Sequence, residues 1–238
     1  MDHFAIKNGV MHAEDLPLTA IADAVGTPVY VYSRATLERH AQVFKQALAH
    51  LPKAHIAFAI KANPNLAVLK VMQREGLGAD VVSGGELARA LAARMPGQDI
   101  VFSGVGKTAT EMVQGLDAGI GQFNIESEEE GVELAAIAAA RGQAASCALR
   151  VNPDVDARTH EKISTGKAEN KFGVPIDRAA GIYARLAALP GMDMRGVAVH
   201  IGSQLQQLQP LEDAFVKLGG LIAELRANGQ SVTHADLG

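Results

Sequence analysis

The sequence predicts an α/β domain built on a parallel sheet, and three observations carry that expectation. Short β-type runs alternate regularly with longer Ala- and Leu-rich stretches of helical period. The β-type runs are nearly apolar throughout, as strands are when helices cover the sheet. No low-complexity linker or short repeat interrupts the alternation, so 238 residues are expected to form one large domain with a sizeable core.

Taken in order, the first strand candidate is VYVY (29–32), a β-branched and aromatic run. A helical stretch near 34–50 leads to the apolar run HIAFAI (55–60), and a second near 65–75 leads to ADVV (79–82). Helical period near 85–95 precedes DIVFS (99–103), and near 108–118 it precedes FNIE (123–126). A helix near 127–141 separates FNIE from SCALRV (146–151). Helices near 175–189 and 208–228 then flank GVAVHI (196–201), and THADL (233–237) is the last strand candidate. The longest irregular stretch, 152–174, exceeds an ordinary αβ connection and is a candidate functional loop.

An open doubly wound sheet and a closed (βα)8 barrel both fit this alternation. The Gly-x-Gly-x-x-Gly fingerprint of dinucleotide-binding open sheets is absent after the first strands, which counts against that reading. A barrel would collect its chemistry at the carboxyl ends of the strands.

Composition narrows the function. The formal net charge is −4 with charges scattered, and no basic stripe or aromatic ladder points to nucleic acid. No run of about 18 apolar residues is present, so no membrane span is expected. The first residues, MDHFAIKNGVMHAEDLP, carry early acids and no long apolar run, unlike a signal peptide. A cytoplasmic protein is the expectation. The single cysteine, Cys147, lies in an apolar run and reads as a buried thiol.

Polar residues gather where the barrel rule requires. Lys61 ends HIAFAI, Asp80 and Ser83 bracket ADVV, and Ser103 ends DIVFS. Glu126 ends FNIE, Arg150 and Asn152 flank the end of SCALRV, and His200 and Ser203 close GVAVHI. A lysine after an apolar strand is either a surface lysine with a buried stem or an amine made nucleophilic by burial beside other cations.

Three patterns are decoys. Gly106-Lys107-Thr108 sits between strand and helix, but a phosphate loop needs glycine at Val101. Asp154, Asp156, His160 and Glu161 suggest a calcium loop, but Thr159 stands at its obligatory glycine, so no metal is expected. Glu128, Glu129 and Glu130 open a helix, where negative charge suits the dipole, and read as a solvated face.

Six segments together resemble one family. FAIKANPN (58–65), ADVVSGGEL (79–87), FSGVGKT (102–108), LRVNPDVDA (149–157), HEKISTG with ENKFG (160–173) and HIGSQ (200–204) are similar to motifs of the diaminopimelate decarboxylases. These are fold type III, alanine-racemase-like enzymes that use pyridoxal 5'-phosphate. Lys-Ala-Asn and His-x-Gly-Ser are shared across the wider decarboxylase group. NPDVDA, ISTG, NKFG and HIGSQ in combination are more specific.

The resemblance implies a TIM-like (βα)8 barrel and a role for each matching residue. Lys61 would hold the cofactor as a Schiff base, with Asp80 and Glu86 in the polar network that positions it. Arg150 would project toward the cofactor ring, His200 would stack on its face, and Ser203 and Gly238 would bind its phosphate. The 152–174 loop would shape the substrate side, where Lys162 replaces an aromatic residue common in relatives.

The implied reaction is decarboxylation of meso-diaminopimelate to L-lysine and carbon dioxide by a homodimer. The sequence stops at HADLG, within the family's Gly-Gly-Gly turn, and holds neither its Glu-Pro-Gly-Arg motif nor its C-terminal β-domain. The expectation is therefore a barrel of about seven of the eight strands over 33–238, with 1–32 pairing with the β-domain in relatives. The full-length protein would be the decarboxylase and this segment alone inactive or nearly so. Rival readings are an arginine- or ornithine-type decarboxylase and a non-catalytic single-domain pyridoxal-phosphate-binding protein.

Overall fold

The computed structural model describes residues 2–51, 53–155, 172–203 and 205–238. It opens on strands β1 (Phe4–Lys7) and β2 (Val10–Ala13), which pair antiparallel. Asn8 and Gly9 form the connection, with φ of 52° and 80°. Two positive φ values in a two-residue turn match the twist of paired strands, and Asn-Gly adopts them readily. Strand β3 (Leu16–Pro17) joins β2, and helix α1 (Leu18–Val25) follows with none of its residues buried.

Residues 29–32, expected as a strand, form none among the described residues. Tyr30 is 89% exposed and no ladder satisfies this backbone, so β propensity alone is not enough here.

Helix α2 (Arg34–Ala47) starts the main domain. It is followed by β4 (Ala57–Ala59), α3 (Leu66–Arg74), β5 (Gly78–Val81), α4 (Gly84–Ala92) and β6 (Ile100–Phe102). Next come α5 (Ala109–Asp117), β7 (Gln122–Ile125), α6 (Glu128–Ala140), β8 (Ala145–Asn152) and the short β9 (Val174–Pro175). Helix α7 (Ile176–Ala187), β10 (Met192–Val199), α8 (Gln209–Ala227) and β11 (His234–Asp236) complete the chain. Each expected strand and helix from residue 34 onward is present, with ends shifted by a few residues.

The seven main strands run parallel in the order β4-β5-β6-β7-β8-β10-β11, with β9 added beside β8. Every step goes the same way, without the reversal of a doubly wound sheet. Right-handed crossovers in one direction place all the helices on one face and leave the other as an interior.

Alternate residues divide between these faces. Phe123 and Ile125 of β7 point outward, and the helices press on them closely: a Cβ at Gly115 of α5 would lie 2.6 Å from the Phe123 ring. Gln122 and Asn124 point inward. Asn124 Nδ2 donates to Asp236 Oδ2 of β11 at 2.8 Å, three strands away. In a flat sheet that separation would be roughly 14 Å. The sheet is therefore curled as a barrel wall.

Side-chain caps start several helices directly after the strands. Ser83 accepts from Glu86 N, Ser127 from Glu130 N, and Thr108 and Glu111 form a capping box. These short connections hold the strand ends in place. None of the described helices is long and apolar enough to cross a membrane.

Candidate active site

Four of the seven candidate residues face one another at the carboxyl ends of the strands. Lys61 lies in a single 3-10 turn, Ile60–Ala62, directly after β4. Its neighbour Ile60 is fully buried and anchors the turn, while Lys61 itself is exposed. Proximity, rather than deep burial, is what distinguishes this lysine. Its charge acts on both Asp80 and His200.

Asp80 points inward from β5. Burial, with Asp236 adding to it, pushes its carboxyl up to about 6 against the opposing hydrogen bond from Ser103. Lys61 and Arg150 also favour the ionised form. Asp80 Oδ1 has no hydrogen-bond partner among the described residues. A buried oxygen in that state carries a desolvation cost that a bound group can relieve.

Arg150 projects inward from β8. Its Nη1 donates to Glu126 Oε1 at 2.7 Å, with both side chains buried, and its guanidinium lies 4.9 Å from the centre of the Phe172 ring. Glu126 Oε1 also accepts from Gly104 N at 3.1 Å, and Oε2 from Gly173 N at 3.0 Å. One carboxylate thus fixes the arginine and the backbone on either side of it.

His200 follows β10. Burial first, then the charges of Arg150 and Lys61, lower its imidazole to about 4 against the opposing pull of Asp236 and Glu126. The ring is therefore neutral at neutral pH. Gly238, beyond β11, has a φ of 89°, and its N–H donates to Asp236 Oδ1 at 3.0 Å. A Cβ there would sit 2.7 Å from His200 Nδ1.

The remaining two candidates lie differently. Ser203 is exposed in the loop beyond His200. Glu86 accepts from Val82 N at 2.8 Å, so it braces the β5 to α4 connection. The calls on Asp156, His160, Glu161 and Lys162, and most of the 152–174 loop, fall outside the described residues. Among the described residues, no cluster of potential metal ligands is present.

One expectation changes. Glu130 is not on a solvated face: its side chain is 9% exposed, and it accepts from Lys107 Nζ at 2.7 Å. Lys107 also donates to Gly104 O and Asn124 O, so it bonds the barrel wall rather than a phosphate. Cys147 is the buried free thiol expected, and burial raises its pKa.

Asp236 and Asn124 went unrecognised in the sequence. They are 112 positions apart, and only barrel closure brings them together. The one available signal was their inward strand parity.

Comparison with known proteins shows the family. Residues 34–238 match the family model for the pyridoxal-binding domain of pyridoxal-dependent decarboxylases. The chain is 50% identical over 237 residues to a diaminopimelate decarboxylase of Zymomonas mobilis, covering 99% of this chain and 56% of that one. It is 49% identical over 238 residues to that of Pseudomonas aeruginosa, covering 100% and 57%. The crystal structure of diaminopimelate decarboxylase from Helicobacter pylori complexed with L-lysine superposes with a TM-score of 0.89 at 36–37% identity, covering 93% of this chain and 56% of that one. The chain thus spans little more than half the length of these relatives.

The residues present fit a pyridoxal cofactor. Lys61 offers an amine for its aldehyde, neutral His200 a flat apolar face, Arg150 a cation, and Asp80 Oδ1 an acceptor still lacking a donor. The glycine at 238 leaves His200 room that a side chain would take. Curled parallel sheet, strand-end constellation and family match agree, and the chain belongs to the pyridoxal-dependent decarboxylases.

Proposed function

We propose that the whole protein decarboxylates meso-2,6-diaminopimelate to L-lysine and carbon dioxide with pyridoxal 5'-phosphate. The observation that carries this reading is the convergence of Lys61, Asp80, Arg150 and His200 at the strand ends of a chain about half identical to diaminopimelate decarboxylases along its length. The lysine-bound H. pylori enzyme supports the product class.

Each residue has a part. Lys61 supplies the amine that would anchor the cofactor through its aldehyde. His200, neutral above about pH 4, packs against the ring without adding a charge. Arg150, held by Glu126, presents a fixed cation beside the ring. Asp80 and Glu86 orient the Lys61 end, one through the interior and one through the β5 to α4 connection. Ser203 and the backbone at Gly238 bind the phosphate. When bound, pyridoxal phosphate supplies the electron sink for the pair left as carbon dioxide departs. A proton then replaces the carboxylate at the α-carbon.

Residues 33–238 supply the barrel, and 1–32 pair with a second, β-rich domain. The working form is a cytoplasmic homodimer.

Carbon dioxide release by the full-length protein from meso-diaminopimelate, arginine and ornithine tests the proposal. Preference for meso-diaminopimelate is expected. Preference for either other substrate, or no release from any, overturns it.

A further inference from the structure

A chain of hydrogen bonds crosses the barrel interior beneath the candidate site. Asn124 of β7 is 4% exposed, and its side-chain amide is fully engaged. Nδ2 donates to Ser103 Oγ at 3.0 Å and to Asp236 Oδ2 at 2.8 Å. Oδ1 accepts from Gln122 Nε2 at 2.8 Å. Both Nδ2 protons are therefore placed, which orients the amide. With its acceptor side filled by Asn124, Ser103 turns its own proton to the Asp80 carboxyl. At the other end, Asp236 Oδ1 accepts from Gly238 N. The sequence Asp80, Ser103, Asn124, Asp236 thus links β5 through side chains to the backbone N–H of Gly238 in the turn after β11.

We propose that Asn124 is a positioning residue for the cofactor site, tying the Lys61 and Asp80 end to the Gly238 turn through Ser103 and Asp236. This rests on the assignment of that site to pyridoxal phosphate. Two carboxylates, Asp80 and Asp236, face the same interior and repel each other. Only a group with two donors can stand between Ser103 and Asp236 and satisfy both. An apolar residue of similar size would leave Asp236 Oδ2 facing only Gln122 Nε2 at 3.4 Å. The other ionisable groups near this interior are Lys61 just after β4, Glu126 just after β7, Arg150 on β8, His200 after β10, and Lys107, which is paired with Glu130 and donates to Asn124 O.

The test exchanges donor and acceptor across the pair in the full-length protein. Asn124→Asp keeps the shape but sets an acceptor against Asp236 and Ser103. Its affinity for pyridoxal phosphate, read from absorbance of the bound cofactor, is expected to fall about tenfold or more at pH 8. Affinity should partly return at pH 6, as the new carboxyl takes up a proton. Asp236→Asn in the same chain lets residue 236 donate to residue 124 while still accepting from Gly238 N, and is expected to recover part of the loss. Ser103→Ala, a small change that removes the link to Asp80, should weaken binding without the pH-dependent return.

Asn124→Asp binding within twofold of wild type overturns the proposal. So does a double variant that folds yet binds no better than the product of the single effects. Should Asn124→Asp fail to fold, Ser103→Ala decides, and its binding at wild-type affinity overturns the proposal. Wild-type protein that fails to bind pyridoxal phosphate defeats the site assignment instead, so the two failures are separable.

Discussion

Gly238 approaches His200 so closely that a Cβ at position 238 would lie 2.7 Å from the imidazole Nδ1 and 2.8 Å from Val199 O. Its φ of 89° is also costly for any residue with a side chain. Steric room and backbone conformation therefore demand glycine together. Gly238→Ala should displace the His200 ring and strain the turn, at a cost of about 1–3 kcal/mol. The expected result is pyridoxal phosphate affinity lower by about tenfold or more, measured by absorbance titration. Unchanged affinity would mean that the turn does not border the site.

His200 should remain neutral where exposed histidines titrate. Burial beside Arg150 and Lys61 lowers its pKa from 6.5 to about 4. The folded pKa lies below the unfolded one, so His200 contributes stability above pH 6.5 that is lost as pH falls through 4. Among the eight histidines, one imidazole signal in NMR should titrate near pH 4. His200→Gln should remove that signal and flatten the loss of stability between pH 6.5 and 4.

Asp80 has the opposite sign. Its pKa rises from 3.8 to about 6, so its favourable contribution is present below pH 3.8 and lost as pH rises through 6. The ionised carboxylate is then a stability cost retained for function. Asp80→Asn in cofactor-free protein should raise stability at pH 8 by something on the order of 2 kcal/mol. Near pH 4 the two proteins should unfold alike. Urea unfolding at both pH values checks this, and the variant should bind pyridoxal phosphate more weakly.

Glu126 neutralises a buried cation and accepts two backbone N–H groups. Glu126→Ala strands all three and should cost about 3–5 kcal/mol. Glu126→Gln keeps an acceptor for Arg150 and should cost less. Chemical denaturation of the two variants gives the order, and equal losses would show that the charge alone matters.

The barrel wall was legible in the sequence because its strands read as mostly apolar runs alternating with longer stretches of helical period. From residue 34 onward that pattern located each strand and helix of the curled sheet. It failed at 29–32, where β-branched and aromatic residues have no partner to pair with among the described residues. It also passed over β1 and β2, although Asn8-Gly9 is a hairpin signal, because their strands are short and largely exposed.

The strand-end residues were legible as positions, and Lys61, Asp80, Arg150 and His200 do face one another. Their partners were not. Glu126 was visible as a strand end but not as the counter-ion of Arg150, and Asp236 meets Asn124 only after seven strands have curled. Lys107 shows the same limit: its loop was legible as no phosphate site, but its contacts, Glu130 and two carbonyls, were not.

Lys61 is the residue on which the functional reading turns. Borohydride reduction of the protein in the presence of pyridoxal phosphate, followed by peptide mapping, tests it most directly. The expected result is a stable pyridoxyl label on Lys61, absent after Lys61→Ala. A label on another lysine, or none at all, would contradict the assignment of this strand end as the cofactor anchor.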